Sequence, residues 1–248
     1  MWGEDLAQLL GLKIDALDMP QVLDRIEGFL AKGQEECRQL VTLNAEIFYQ
    51  AQHDPALQEI INRADLVTAD GNGILWAGRQ LGVDLPERVT GIDLMLALCR
   101  QAACSGWRIF LLGGAPGVAR EAAECLSKDF PGIEICGQEH GFFLKEEGGA
   151  TRVLEQIQKT SPDLLFVAMG APLQEFWIKE HQAELKAKVA IGVGGSLDVI
   201  SGRVRRAPGI WQRLRLEWLW RSLSDLKRLG RLVNLFKFTL FVKKAKKK

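Results

Sequence analysis

The sequence predicts an α/β fold with a mostly parallel, Rossmann-like sheet flanked by helices, and two observations carry that expectation. Short β-branched or apolar runs alternate with longer amphipathic ones from Leu40 to Val193, and several of the short runs end directly in glycine-rich turns. Alternation of this kind implies βαβ crossovers, which lay successive strands parallel and put helices on both faces of the sheet.

Taken in order, Leu40 to Leu43 is the first apolar run, and the amphipathic stretch Ala45 to Arg63 follows it as a helix. Leu66 to Ala69 reads as a strand that breaks at Asp70-Gly-Asn-Gly73, and Gly73 to Leu81 and Asp93 to Ser105 read as helices. Arg108 to Leu112 runs into Gly113-Gly-Ala-Pro-Gly117, with Pro116 to Phe130 helical behind it. Ile133 to Cys136 is a further strand, followed by a helix over Glu147 to Thr160. Leu164 to Met169 precedes Gly170-Ala-Pro172 and a helix at Leu173 to Leu185, and Val189 to Val193 precedes Gly194-Gly-Ser196. No element is assigned before Leu40.

Open α/β sheets bind ligands beyond the carboxyl ends of their strands, where glycines let backbone N–H groups approach a phosphate and the next helix adds a favourable dipole. Gly113 and Gly114, Gly170, and Gly194 and Gly195 stand at three such ends. Each can equally be a tight-turn glycine, but three together favour a phosphate or diphosphate ligand. Gly113 to Gly117 matches neither a Walker A sequence nor the GxGxxG dinucleotide pattern. Asp70, followed by Gly71, puts a carboxylate at a strand end in an open loop, where it can take a proton from an attacking sugar hydroxyl; the alternative is an Asx turn or a helix cap. Arg88 is suited to fork onto a diphosphate, with a surface ion pair as the alternative.

The 248 residues suffice for one large domain or a closely joined pair. Secretion is not indicated at the amino terminus, and the five cysteines, odd in number and without CxxC spacing, read as reduced thiols of a cytoplasmic protein. The scattered histidines His53, His140 and His181 have no metal-ligand spacing, and there is no Asp-x-Asp clamp, so no metal site and no cofactor are expected.

Charge divides the chain at residue 202. From Arg203 to Lys248, 15 Lys and Arg face only Glu217 and Asp225, a net +13, while residues 1 to 202 carry 17 basic and 29 acidic side chains, a net −12. Leu219, Leu223, Leu226, Leu229, Val233, Phe236 and Leu240 recur at helical spacing, with Arg221, Lys227, Arg228 and Arg231 toward the other side and Trp211, Trp218 and Trp220 nearby. Residues 1–202 are therefore expected to form the α/β body and 203–248 a helical membrane-binding appendage, drawn to an anionic membrane surface. Leu232 to Val242 is too short to span a bilayer, which takes about 20 apolar residues. Packing of the stripe on the body or on a second subunit is the alternative, so a homo-oligomer stays open. Nucleic acid is disfavoured, because the aromatics sit among aliphatics and form no stacking platform.

Seven ordered blocks resemble the signatures of the WecG/TagA/CpsF glycosyltransferases. They are Thr42-Leu-Asn44, Ala69-Asp-Gly-Asn-Gly73, Glu87-Arg-Val-Thr-Gly-Ile-Asp93, Leu111-Leu-Gly-Gly114, Met169-Gly-Ala-Pro-Leu-Gln-Glu175, Gly192-Val-Gly-Gly-Ser-Leu-Asp198, and Arg205-Arg-Ala-Pro208 with Leu216-Glu-Trp-Leu-Trp-Arg221. The resemblance implies an inverting, metal-independent transferase at the cytoplasmic membrane face. Its donor would be a UDP-sugar carrying N-acetylmannosamine or its uronic acid, and its acceptor a polyprenyl-diphosphate-linked sugar, for wall teichoic acid or related surface glycans. It implies Asp70 as the base, with Arg88 and Thr42 also catalytic, Asn44, Asp93 and Gln174 at the substrate, and Arg221, Arg228 and Arg231 of a closing appendage on the diphosphates. A membrane-tethered dinucleotide oxidoreductase and a nucleotide- or nucleic-acid-binding protein are the competing readings of the same glycines and basic tail.

Overall fold

The computed structural model describes residues 6–31, 36–204 and 229–246, with side chains given for all of these except 229–234. Strands are β1 Leu6–Leu9, β2 Leu12–Asp15, β3 Arg38–Leu43, β4 Leu66–Ala69, β5 Arg108–Gly113, β6 Glu134–Glu139, β7 Leu164–Ala168 and β8 Val189–Gly192. Helices are α1 Met19–Ala31, α2 Ala45–Ala51, α3 Pro55–Arg63, α4 Asn72–Leu81, α5 Gly91–Ser105, α6 Val118–Asp129, α7 Gly149–Thr160, α8 Leu173–His181, α9 Ser196–Ile200 and, after the undescribed segment, α10 Leu229–Ala245.

Six strands form one sheet in the order β4-β3-β8-β7-β5-β6, and every pairing within it is parallel. The central strands β7 and β8 are Leu-Leu-Phe-Val-Ala and Val-Ala-Ile-Gly, buried throughout, as a strand covered on both faces must be. Leu40, Ile109, Leu111, Phe166 and Ile191 point to one face and pack under α1, α5, α6 and α9. Their neighbours Val41, Leu43 and Val67 point to the other, under α2, α3, α4 and α10, where Phe110, Leu112 and Val167 continue the layer under α7 and α8. This is the expected mixed α/β fold.

Several features differ from the sequence expectation. The chain opens with an antiparallel hairpin, β1 to β2, and helix α1, where no element was assigned. Leu10 and Gly11 turn the hairpin with φ of 50° and 84°, the left-handed pair of a two-residue loop, but Leu-Gly lacks the Asn-Gly signature that marks such turns. The hairpin shields an edge: the Asp15 carboxylate accepts the outward Val67 N–H of β4 at 2.8 Å. The single helix expected over Ala45 to Arg63 is two, because Asp54 accepts the Ala56 and Leu57 N–H groups and caps α3 with Pro55 in its first turn. The short α9 was also unassigned, and β6 starts and ends later than Ile133 to Cys136.

Helix α10 lies across α2 and α4. Phe238 is buried there, edge-on to Phe48 at 5.5 Å and tilted against Trp76 at 6.2 Å, with Phe241 edge-on to Tyr49 at 6.3 Å. Phe236 and Leu240, from the expected apolar stripe, face outward at 66% and 51% exposure; the body is covered instead by Phe238 and Val242, so the helix is apolar on two sides. Leu219, Leu223 and Leu226 lie outside the described residues, as do the side chains of Leu229 and Val233. Among the described residues no helix is long and apolar enough to cross a membrane. All five cysteines are free, and burial pushes the Cys37 and Cys99 thiols up to about 12, which leaves them unreactive.

Candidate active site

The topology selects the carboxyl edge of the sheet. Helix α6, leaving β5, packs on one face, whereas α8, leaving β7, packs on the other, so adjacent strands send their helices apart and open a crevice between their ends. Gly113 lines it with φ 136°, where a Cβ would come within 2.3 Å of the Ala168 carbonyl oxygen. Gly114 donates its N–H to that oxygen at 3.0 Å. Gly113 is thus required by close strand approach, while at Gly114, φ 72°, a Cβ would come within 2.6 Å of the Val118 side chain of α6.

Asp70 stands at the other end of the same edge. Its N–H donates to the Leu43 carbonyl at 2.9 Å, and its Oδ2 accepts the Gly91 N–H at 3.2 Å. The carboxylate is half-buried and faces the positive end of the 15-residue helix α5. The next helix, α4, begins two residues later behind Gly71, whose φ of 96° turns the chain so that first-turn N–H groups open at the crevice. Arg88, half-buried, precedes Val89, whose N–H donates to the Ala69 carbonyl at 3.0 Å; this carries Arg88 to the Asp70 end of β4.

Thr42, Gln174 and Gly194 tie the middle of the edge together. The Thr42 hydroxyl, buried at 4% exposure, donates to the Gly192 carbonyl at 2.8 Å. Gln174 accepts the Gly194 N–H through Oε1 at 3.0 Å and donates through Nε2 to Glu175 Oε1 at 2.8 Å. Gly170 takes φ 82° after β7 and accepts the Gln174 N–H at 3.0 Å. Gly195 is exposed just before α9 at φ −83°, a conformation open to any residue.

Two of the expected substrate contacts have structural duties. The Asn44 carboxamide oxygen caps α2, accepting the Glu46 and Ile47 N–H groups at 2.9 and 3.0 Å. Asp93 closes a capping box with Thr90: its N–H donates to Oγ1 at 3.2 Å, and its Oδ2 accepts the Thr90 hydroxyl at 2.7 Å. Arg221 and Arg228 lie outside the described residues, and of Arg231 only the backbone is described, in the first turn of α10. Leu235, one turn on, reaches within 4.0 Å of where a Gly73 Cβ would stand.

Two groups at this edge escaped sequence reasoning. Glu175 is 1% exposed, and burial pushes its carboxyl up to about 7; a polar Gln-Glu pair gives no hint of that burial. At the end of β6, Glu139 takes Arg152 and the His140 N–H, while Arg152 also reaches Glu146 at 2.9 Å. Burial raises the Glu139 carboxyl, but Arg152 and the His140 N–H outweigh it and hold it below the ordinary glutamate range. His140 is thus part of a charged wall beside the Gly113–Gly114 turn, whose Gly114 carbonyl accepts the Gly141 N–H at 2.8 Å. Among the described residues no cluster of three His, Cys, Asp or Glu could hold a metal ion.

Glycine-lined strand ends, a carboxylate and an arginine thus share the carboxyl edge of the sheet. A family model described as "Glycosyl transferase WecG/TagA/CpsF family" matches residues 7–248. The chain is 37% identical over 240 residues, 97% of its length and 93% of the relative's, to an N-acetylglucosaminyldiphosphoundecaprenol N-acetyl-beta-D-mannosaminyltransferase of Staphylococcus aureus strain MRSA252. It is 36% identical over the same span to the protein of that name in strain MW2. The chain belongs to the WecG/TagA/CpsF family of glycosyltransferases.

Proposed function

We propose that the protein transfers N-acetylmannosamine, or a related hexose, from a UDP-sugar to N-acetylglucosamine on undecaprenyl diphosphate, with inversion and without a metal ion, for teichoic acid or another surface glycan. The observation that carries this reading is the Asp70 carboxylate, held by the Gly91 N–H at the β4 end of the carboxyl edge, in a chain 97% of which matches relatives named N-acetylmannosaminyltransferases. Asp70 accepts the proton of the acceptor hydroxyl as its oxygen attacks the anomeric carbon from the face opposite UDP, and UDP departs with the bonding pair. Arg88 and the arginines of residues 203–248 offset the charge that develops on the leaving diphosphate. Thr42 and Gln174 shape the pocket floor.

The acceptor is anchored in lipid, and drawing each CH₂ into water costs about 0.8 kcal/mol, so the enzyme must come to the bilayer. The outward Phe236 and Leu240 of α10, with exposed Lys237, Lys243 and Lys244, support a peripheral position on the anionic inner face of the cell membrane. A panel of UDP-sugars with a short-chain lipid-diphosphate N-acetylglucosamine acceptor, read by product mass and anomeric coupling in the presence of a chelator, tests the reading. One disaccharide product of inverted configuration is expected. Absence of product with every UDP-hexose would overturn it.

A further inference from the structure

We propose that Gln174 is a positioning residue and not a substrate ligand: its carboxamide is spent inside the protein, where it locks the exit loop of β8 to the start of α8, and in the transferase proposed above it acts only through the Gly194 main chain. Gln174 is 1% exposed, so neither end of its carboxamide is open to a ligand. Its Oε1 accepts the Gly194 N–H at 3.0 Å, and its Nε2 donates to Glu175 Oε1 at 2.8 Å. The Gly194 N–H is a permanent donor, so it draws the carboxamide oxygen and leaves the nitrogen for Glu175 whatever the charge there. Glu175 is held in its turn from β3, where the buried Gln39 donates through Nε2 to its main-chain carbonyl at 3.0 Å.

Gly192 is built to receive this pair. It ends β8 in strand conformation, so its backbone has no need of glycine, yet a Cβ there would lie 2.6 Å from Gln174 Nε2 and 3.0 Å from Glu175 Oε1. The missing side chain is the space the pair fills. The Gly192 carbonyl also accepts the Thr42 hydroxyl at 2.8 Å, so the exits of β3 and β8 and the first turn of α8 meet at one residue. Two residues on, Gly194 has φ 55° and open space where a Cβ would stand, so no neighbouring side chain wedges its backbone from that side. The Gln174 oxygen is what holds its N–H. Cutting that bond frees the loop beside the crevice, and a displacement of about 1 Å at such a place can cost about 10²-fold in rate.

The test uses the full chain, with the folding of each variant checked by circular dichroism. Amide exchange followed by NMR, without substrate, reads the lock alone: Gln174→Ala should speed exchange at Gly194 by about tenfold or more. Gln174→Glu sets two carboxyls against each other and should do the same. Gln174→Glu combined with Glu175→Gln keeps one carboxyl and one carboxamide in the same space, and it should restore wild-type exchange. A kinetic cycle, which rests on the transferase reading, adds the second arm. Gln174→Ala and Gln174→Glu should each lower kcat by about tenfold with KM for the UDP-sugar unchanged, and the combined variant should return kcat to within about threefold of the wild type. Gly192→Ala pushes a methyl into the pair without removing a polar group; it should reproduce Gln174→Ala, and the two together should be no worse than either alone, because the truncated side chain makes room. Should Gly192→Ala not fold, the combined variant decides. Unchanged Gly194 exchange in Gln174→Ala, a raised KM at constant kcat, or a combined variant as slow as Gln174→Glu would overturn the proposal, the last because a carboxamide that touches substrate cannot be replaced from position 175. If the wild type makes no product, the transferase reading fails and Gly194 exchange alone decides whether Gln174 holds the loop.

Discussion

Gly113 sets the geometry of the crevice more tightly than any charged residue. At φ 136°, with the Ala168 carbonyl oxygen 2.3 Å from a would-be Cβ, Gly113→Ala combines left-handed strain with a backbone clash. It should cost upwards of about 3 kcal/mol in urea unfolding. At Glu175 the sign is set by a raised value: from the ordinary 4.5 to about 7 the native chain keeps a proton that the unfolded chain releases. Stability therefore falls as pH rises through that window, by about 3 kcal/mol in all, and levels off above it. Glu175→Gln should remove that slope in denaturant titrations at stepped pH, and an unchanged slope would assign it to another group. Asp70 and the strand-end glycines stand out in the sequence because each ends an apolar run, and the structure sets them along one sheet edge with Arg88 near Asp70. The sequence hid Glu175, because a carboxyl next to Gln174 becomes buried only when α8 docks on Gly192, a contact between residues distant in sequence.

Helix α10 is apolar on two faces, one buried and one exposed. Phe238, buried against Phe48 and Trp76, should on substitution by Ala cost about 3 to 5 kcal/mol, provided the site does not collapse. Phe236 and Leu240, outward at 66% and 51% exposure, should leave stability unchanged when both are made Ser while vesicle co-sedimentation is lost. Loss of stability without loss of vesicle binding would reverse the assignment of the faces. Spacing revealed the outward stripe but not the inward one, because Phe238 and Val242 are recruited by α2 and α4 and not by the periodicity that Phe236 and Leu240 share. The amino-terminal hairpin was hidden for a related reason: its turn is Leu10-Gly11, and only tertiary packing against β4 makes Leu acceptable at φ 50°. The break between α2 and α3 was written in Asp54-Pro55, a cap followed by a first-turn proline.

Across the whole molecule, the parallel sheet gathers residues from positions 42 to 194 onto one edge, in a strand order that no single motif reveals. We propose that the −12 body holds the crevice while the +13 trailing segment supplies cations. Arg203 joins them, with a bidentate pair to Glu121 at 2.7 Å on α6, while α10 docks on the opposite face of the sheet. The central claim is that this edge transfers a sugar with Asp70 as its base. The most direct measurement is single-turnover transfer from a UDP-sugar to a short-chain lipid-diphosphate acceptor by wild type and Asp70→Asn, with UDP affinity followed by calorimetry. We expect the rate to fall by about 10² to 10⁴ while UDP affinity holds. Asp70→Asn turning over at the wild-type rate would contradict it.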